Sequence, residues 1–186
     1  MARPLQAPIL PQEGSDPIER PELLLEPSPP RRKLLLLGDM TAAREMLAEV
    51  ISLPERTNLV TRTEGVGVCL RLRPDQCLVL LAGDPEVTRV HERLRPCAHG
   101  AVYLLDASAR FVGFNVAGAG AAAVLNSGCS LDLRLRSMSV ETCAGTRIEQ
   151  VPVWIVRQRP EAFEVWVERP LAPYLWQWLL RATEAV

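Results

Sequence analysis

"FNVAGAGAAAVLNSG", residues 114–128, is the stretch on which the reading of the whole chain turns. An apolar strand runs into Gly118-Ala119-Gly120, and three alanines at 121–123 then open a helix. The G-x-G-x-x-A spacing is that of a dinucleotide loop, where glycines let a pyrophosphate meet a helix N-terminus and an acid about 20 residues on holds the ribose. Here that window reads "RSMSV" at 136–140, and Glu141 follows outside any evident strand end. The segments downstream also read as an antiparallel meander, not as alternating βαβ units. The glycines are therefore expected to serve a tight strand-to-helix turn, and the alanines to let that helix approach a sheet closely.

Working outward, the pattern is orderly from Lys33. "KLLLLG" reads as a buried strand, and "DMTAAREMLAEVI" as a helix capped by Asp39 or Thr41 with Met46, Leu47, Val50 and Ile51 inward. "GVCLRLR" and "QCLVLLAG" are strands joined by the turn "RPD". "DPEVTRVHERLR" has an Asp-Pro helix start, and "GAVYLLDA" is a further strand. The order β-α-β-β-α-β is the ferredoxin-like split βαβ. The second half repeats it: "RPDQCLVLLAGDPEVTRVHERL" aligns with "RPEAFEVWVERPLAPYLWQWLL", setting Val90 with Leu175 and Leu94 with Leu179. The fold class is α+β, two tandem ferredoxin-like βαββ(αβ) halves packed as one unit. The expected divisions are an arm over 1–33, a first half over 34–107 and a second half over 108–186.

Residues 1–33 hold 8 of the 16 prolines, with "PSPP" at 27–30 and "RRK" at 31–33. Proline fixes φ and removes donors, so this stretch is expected to be extended. It is either a disordered tail or an arm that orders along a partner, with the leucines of "PELLLEP" (21–27) to bury.

With 186 residues, 48% of them hydrophobic, the chain can bury a real core. Its 21 basic and 22 acidic residues leave a net charge of −1, so it has no electrostatic footprint for nucleic acid or an anionic membrane. No apolar run approaches the ~18 residues of a membrane span. The proline-broken N-terminus is not a secretory signal. Five cysteines without a C-x-x-C indicate free thiols in a reducing cytoplasm.

No catalytic, cofactor or metal set emerges. His91, Cys97 and His99 lack the paired spacing of a zinc site or an orienting third group for a nucleophile. Lys33, the only lysine, stands in a proline-rich tail. Asp132 sits in "CSLDLRLR", read as a half-solvated strand, and Asp106 closes another. The C-terminal helix is more telling. Leu171, Tyr174, Leu175, Trp178, Leu179 and Ala182 share one apolar face, while Trp176 and Leu180 lie around from its centre. Trp176 and Leu180 are the candidate partner interface, since an exposed Trp and Leu on one helix mark a docking surface.

The second half also resembles the gamma subunit of heterotetrameric sarcosine oxidase. The family pattern is carried by the strand, glycine turn and helix, by C-x-L-D-L at 129–133, T-R-I at 146–148, "AFEVWV" and "LAPYLWQWL". In the first half, "LRPDQCLVLL" resembles the family's Gly-Pro-Asp-Glu-Trp-Leu turn, with Arg73, Gln76 and Cys77 as departures. The resemblance spans residues 33–182 and implies a fold similar to the folate-binding domains of the glycine-cleavage aminomethyltransferase. It implies a non-catalytic, architectural chain whose partners are larger alpha and beta subunits and a small delta subunit. FAD, FMN, NAD and folate would reside in the larger partners and zinc in the smallest. The complex would demethylate N-methylglycine oxidatively to glycine, a one-carbon unit and hydrogen peroxide; related complexes act on other N-methyl amines. The alternative is a free-standing folate-binding or aminomethyltransferase-like protein, for which Asp106 and Glu141 are the candidate carboxylates.

Overall fold

The computed structural model describes residues 17–20, 22–95 and 101–184. In the first half, the leucine run of β3 (Arg32–Gly38) ends at a glycine, and Asp39 caps α1 (Met40–Leu47). Its Oδ1 accepts from the amides of Thr41 at 2.8 Å and Ala42 at 3.1 Å, satisfying two of the donors a helix start leaves over. β5 (Gly67–Arg73) and β6 (Gln76–Leu81) are joined by the Arg-Pro-Asp turn. α2 (Asp84–Leu94) begins with proline in its first turn, where the missing N–H costs nothing, and β7 (Val102–Asp106) returns beside β3. The antiparallel order β5-β6-β3-β7 is the expected ferredoxin-like half. One strand without a counterpart in the sequence reading, β4 (Val60–Thr63), widens it beyond β5.

The second half has the same plan. It comprises β8 (Phe111–Ala117), α3 (Ala121–Asn126), β9 (Thr142–Ile148), β10 (Val151–Arg159), β11 (Ala162–Glu168) and α4 (Ala172–Thr183). Among the described residues no strand follows α4, and the N-terminal arm supplies one. β2 (Leu23–Pro27) pairs antiparallel with β8, as β7 pairs with β3, and β1 (Ile18–Arg20) extends the edge. Of the two readings of this stretch, ordering is what residues 18–27 show, against their own chain. Leu23 and Leu25 are buried; residues 1–16 lie outside the described residues.

The glycine question is answered here. Gly38 and Gly118 both have φ of +112°, and a Cβ would meet the Ala101 carbonyl oxygen at 2.3 Å and that of Glu22 at 2.2 Å, respectively. The amide of Gly38 donates to Asp75 and that of Gly118 to Glu161, the acids of the two Arg-Pro-acid turns. Gly118 is thus the point where β8 turns into α3 past the incoming arm. The amide of Gly120 also donates to Glu22, so the arm's backbone stands where a pyrophosphate would have to lie.

The chain packs as helix, sheet, sheet, helix. α1 and α2 cover one sheet over Leu34, Leu36, Val79 and Val90; α3 and α4 cover the other over Phe114, Ile155, Leu175 and Leu179. The sheets meet through Leu35, Leu70, Leu80, Val156 and Trp166. At the seam, Val60 donates to Glu141 at 2.9 Å and Cys143 to Asn58 at 2.8 Å, around the isolated bridge Leu59–Thr142. Asn58 (φ 67°) and Glu141 (φ 59°) are equivalent residues of the two halves and share the left-handed conformation. The halves therefore meet about a local two-fold.

Two sequence expectations are corrected. "LDLRLR" is not a strand: Asp132 Oδ1 accepts from the amide of Arg134 at 3.1 Å and the Leu133 carbonyl accepts from Arg157. A side chain that binds nearby backbone in this way competes with the ladder. Trp176 is not exposed either. It is buried in the core with its ring 5.2 Å from that of Phe114, and Leu180 packs half-buried against the same core. α4 is apolar around much of its circumference, so periodicity did not fix its phase. Ala172, Leu175, Trp176 and Leu179 face inward, while Leu171 and Tyr174, expected inside, are exposed.

Leu25→Ala is expected to lower the unfolding free energy by about 2–5 kcal/mol in urea titration. Gly118→Ala, which meets both a forbidden φ and the arm's carbonyl, should cost about 2–3 kcal/mol. Gly65→Ala, with positive φ but open space around it, should cost only about 1 kcal/mol.

Candidate functional site

The sheet formed by β8 to β11 carries one unusual row on the face turned toward the other sheet. Gly113, Trp166, Trp154 and Gly145 stand at one level on four adjacent strands, each paired in register with the next. Both glycines are required by close approach. A Cβ on Gly113 would lie 2.9 Å from Trp166 Cη2, and one on Gly145 would lie 2.9 Å from Trp154 Cζ3. Each indole thus lies over the glycine of the neighbouring strand. The equivalent row in the first half is Lys33, Leu80, Val68 and Arg62, in the same pairing register. The scaffold is repeated; the row is not.

These tryptophans floor a groove of about 770 Å³ together with Phe111, and Arg73, Arg110 and Arg147 stand around it. Arg73 comes from the β5–β6 turn, so both halves contribute. Arg110 is held by Glu168, with Nη2 2.6 Å from Oε1, and its guanidinium lies 5.1 Å from the Phe111 ring. Arg73 and Arg147 are exposed and have no ion pair among the described residues. Trp166 is 1% exposed and its indole N–H has no acceptor among the described residues. On its other side the Lys33 ammonium lies 5.6 Å from the ring and donates to the carbonyls of Arg31 and Ser108.

A buried polar network fastens the arm beside this row. Glu164, 2% exposed, accepts from Arg31 Nη2 at 2.9 Å and from Gln158 Nε2 at 2.9 Å. Asn115 donates to Glu26 at 3.1 Å and accepts from Ser28 at 3.3 Å. Fully partnered polar groups of this kind specify register, whereas a widowed one is costly.

The sequence-derived candidates do not converge on this groove. Trp176 and Leu180 lie on the opposite side of their sheet, in the helix-facing core. Asp106 is exposed and binds Arg32 at 3.5 Å and the Ser108 amide at 2.8 Å; the hydrogen bonds from Ser108 hold its carboxyl below the usual range. Glu141 pairs with Arg62 at 3.7 Å on the rim of a different groove. Asp132, gripped by Arg134 and Ser137, is likewise pulled well down. His91 is exposed on α2; Cys97 and His99 lie outside the described residues. Among the described residues no three metal-ligating side chains gather, and no helix is long and apolar enough to cross a membrane.

Cys69 and Cys143 are not poised as nucleophiles. Burial pushes Cys69 up, reinforced by Cys77, and pushes Cys143 up to about 12. The groove offers aromatic side chains, guanidiniums, the Glu168 carboxylate already engaged by Arg110, and the residues Ser130 and Thr146. That is a set for binding. The row was missed in the sequence because its members are 9 to 32 residues apart along the chain. The alternation within "PVWIVR" and "AFEVWVE", which puts Trp154 and Trp166 on the same face once the strands pair, was the available signal.

No protein-family model matches the chain, and no curated protein does. Among solved structures, a chain of heterotetrameric sarcosine oxidase from Corynebacterium sp. U-96, solved in complex with pyrrole 2-carboxylate, superposes with a TM-score of 0.79 at 22% identity. The match covers 88% of this chain and 84% of that one. The glycine cleavage system aminomethyltransferase T from Bartonella henselae matches with a TM-score of 0.60 at 17% identity, over 87% of this chain. The chain spans about half of that protein, 46%. At these identities the likeness is one of fold, and it agrees with the tandem ferredoxin-like architecture.

Arg31→Ala is expected to destabilise the chain by about 3 kcal/mol, because it leaves Glu164 buried without its cation. Alkylation at pH 8 followed by mass spectrometry should leave Cys69 and Cys143 unmodified until the chain unfolds. Since unfolded thiols titrate near about 8.5 and Cys143 near about 12 when folded, stability should be intact below about pH 8.5. It should fall as pH rises from there toward the folded value.

Proposed function

We propose that this chain is a gamma-type, non-catalytic subunit of a heteromeric flavoenzyme of the sarcosine oxidase kind. The assembly would demethylate sarcosine or a related N-methyl amino acid, taking up oxygen and water and releasing glycine, a one-carbon unit and hydrogen peroxide. The observation that carries this is the reciprocal extent of the match. This chain and a sarcosine oxidase chain cover each other almost end to end, at 88% and 84%, whereas the aminomethyltransferase is more than twice the matched length.

On this reading the FAD, FMN, NAD, folate and zinc of such an assembly belong to its alpha, beta and delta subunits, which carry the redox and one-carbon chemistry. This chain's own contribution is its two packed sheets and the surfaces they present. We place the assembly in the cytoplasm, where the buried thiols Cys69, Cys77, Cys129 and Cys143 would stay reduced.

The aminomethyltransferase-like fold favours one second reading, a folate-binding protein. A pterin needs a carboxylate within an apolar slot to pair its amino-pyrimidine edge. Asp106 and Glu141 are exposed, already engaged and set in different places, so these residues do not fit that group.

The chain tagged in its host should co-purify with larger subunits whose eluate shows a flavin absorption spectrum, while the chain alone should be colourless and inactive toward sarcosine. A colourless chain without companions would overturn the subunit reading. Calorimetric titration of the chain alone with tetrahydrofolate should give no heat, and a saturable heat would favour the folate-binding reading.

A further inference from the structure

The two halves repeat strand for strand, so a place where they differ in kind is informative. On the inner face of one sheet the row is Lys33, Leu80, Val68 and Arg62; on the other it is Gly113, Trp166, Trp154 and Gly145. The packing of the two sheets accounts for Trp166, which is buried where they meet, but leaves Trp154 only half-buried. The half-buried Trp154 packs closely on the exposed Gly145 and leaves part of its indole open to the groove. An indole left uncovered in this way is a stacking surface.

We infer that this groove is a binding site for a planar aromatic carboxylate, a small molecule whose ring lies on Trp154 while its carboxylate is held by Arg147 and Arg73. The inference goes beyond the subunit reading and does not depend on it. Three features carry it. The groove, about 770 Å³, falls within the ~300–1,000 Å³ of small-molecule sites. Its charge is unbalanced: Glu168 answers Arg110, leaving Arg73 and Arg147 without an anion among the described residues. Guanidinium forks take carboxylates two bonds at a time. The third feature is Trp154, whose half-buried indole lines the same groove as these two arginines. A long polyanion is disfavoured by the chain's overall charge of −1.

The test is calorimetric titration of the full chain with 2-naphthoate, and with 2-naphthamide as its uncharged isostere. The acid should bind with 1:1 stoichiometry and the amide about tenfold more weakly, the difference expected from losing charge-assisted hydrogen bonds. Arg73→Gln and Arg147→Gln, both at exposed positions, should keep the circular dichroism of the parent and each weaken the acid about tenfold. Trp154→Ala should abolish binding, and Trp154→Phe should restore most of it, which separates loss of the stacking face from loss of the fold. The inference is overturned if the acid gives no heat at concentrations on the order of millimolar, if acid and amide bind equally, or if both arginine variants bind like the parent. Any of these would leave the subunit reading intact, since that rests on the fold.

Discussion

The pairing of the arm strand β2 with β8 is the contact on which the rest of the structure depends. A ferredoxin-like half needs four strands to cover two helices, and the second half encodes only β8, β10 and β11 of these after the first half ends. The fourth comes from residues 23–27, which precede both halves in the chain. Once that strand is in place, several otherwise separate features have one cause. Gly118 must lack a side chain because Glu22 passes it. Glu164 can be buried because Arg31, at the end of the arm, reaches it. The hydrophobic term is local and large: Leu23 and Leu25 leave water entirely or nearly so, at roughly 1.5–3 kcal/mol each.

The molecule is also close to two-fold symmetric at its seam. Equivalent residues Leu59 and Thr142 bridge one another, and equivalent arginines, Arg71 and Arg157, each donate to the carbonyl of their own turn proline, Pro74 and Pro160. Both also sit at matching irregularities of strand register. A scaffold so closely duplicated draws attention to where duplication fails, and it fails along the row that carries the tryptophans. One sheet kept charged and aliphatic side chains there; the other has two glycines and two indoles facing a groove with an arginine rim. Aromatic surface and positive charge meet there in a groove to which both halves contribute.

Much of this was legible in the sequence, and the reasons for the rest are physical. The ferredoxin-like order followed from hydrophobic periodicity and from Asp39, Pro85 and the Arg-Pro-acid turns, all of which act within a few residues. The structural role of Gly118 was also readable, although its partner Glu22 was not, because that contact joins residues almost a hundred positions apart. "LDLRLR" alternates like a strand, yet Asp132 binds the local backbone and turns it into a loop. The phase of α4 was misjudged because apolar residues surround it; only packing against Phe114 put Trp176 inside and Tyr174 outside. The Trp154–Trp166 row depends on register between strands, which no single segment reveals.

The central claim, that the arm completes the second half as its fourth strand, is tested most directly by removing residues 1–31 and adding back a synthetic peptide of residues 17–31. Urea unfolding followed by tryptophan fluorescence would be the readout, since Trp154, Trp166, Trp176 and Trp178 all lie in the second half. The account predicts that the truncated chain loses its cooperative transition and that the peptide restores it in a saturable manner. A truncated chain that unfolds at the parent's midpoint, with or without peptide, would contradict it.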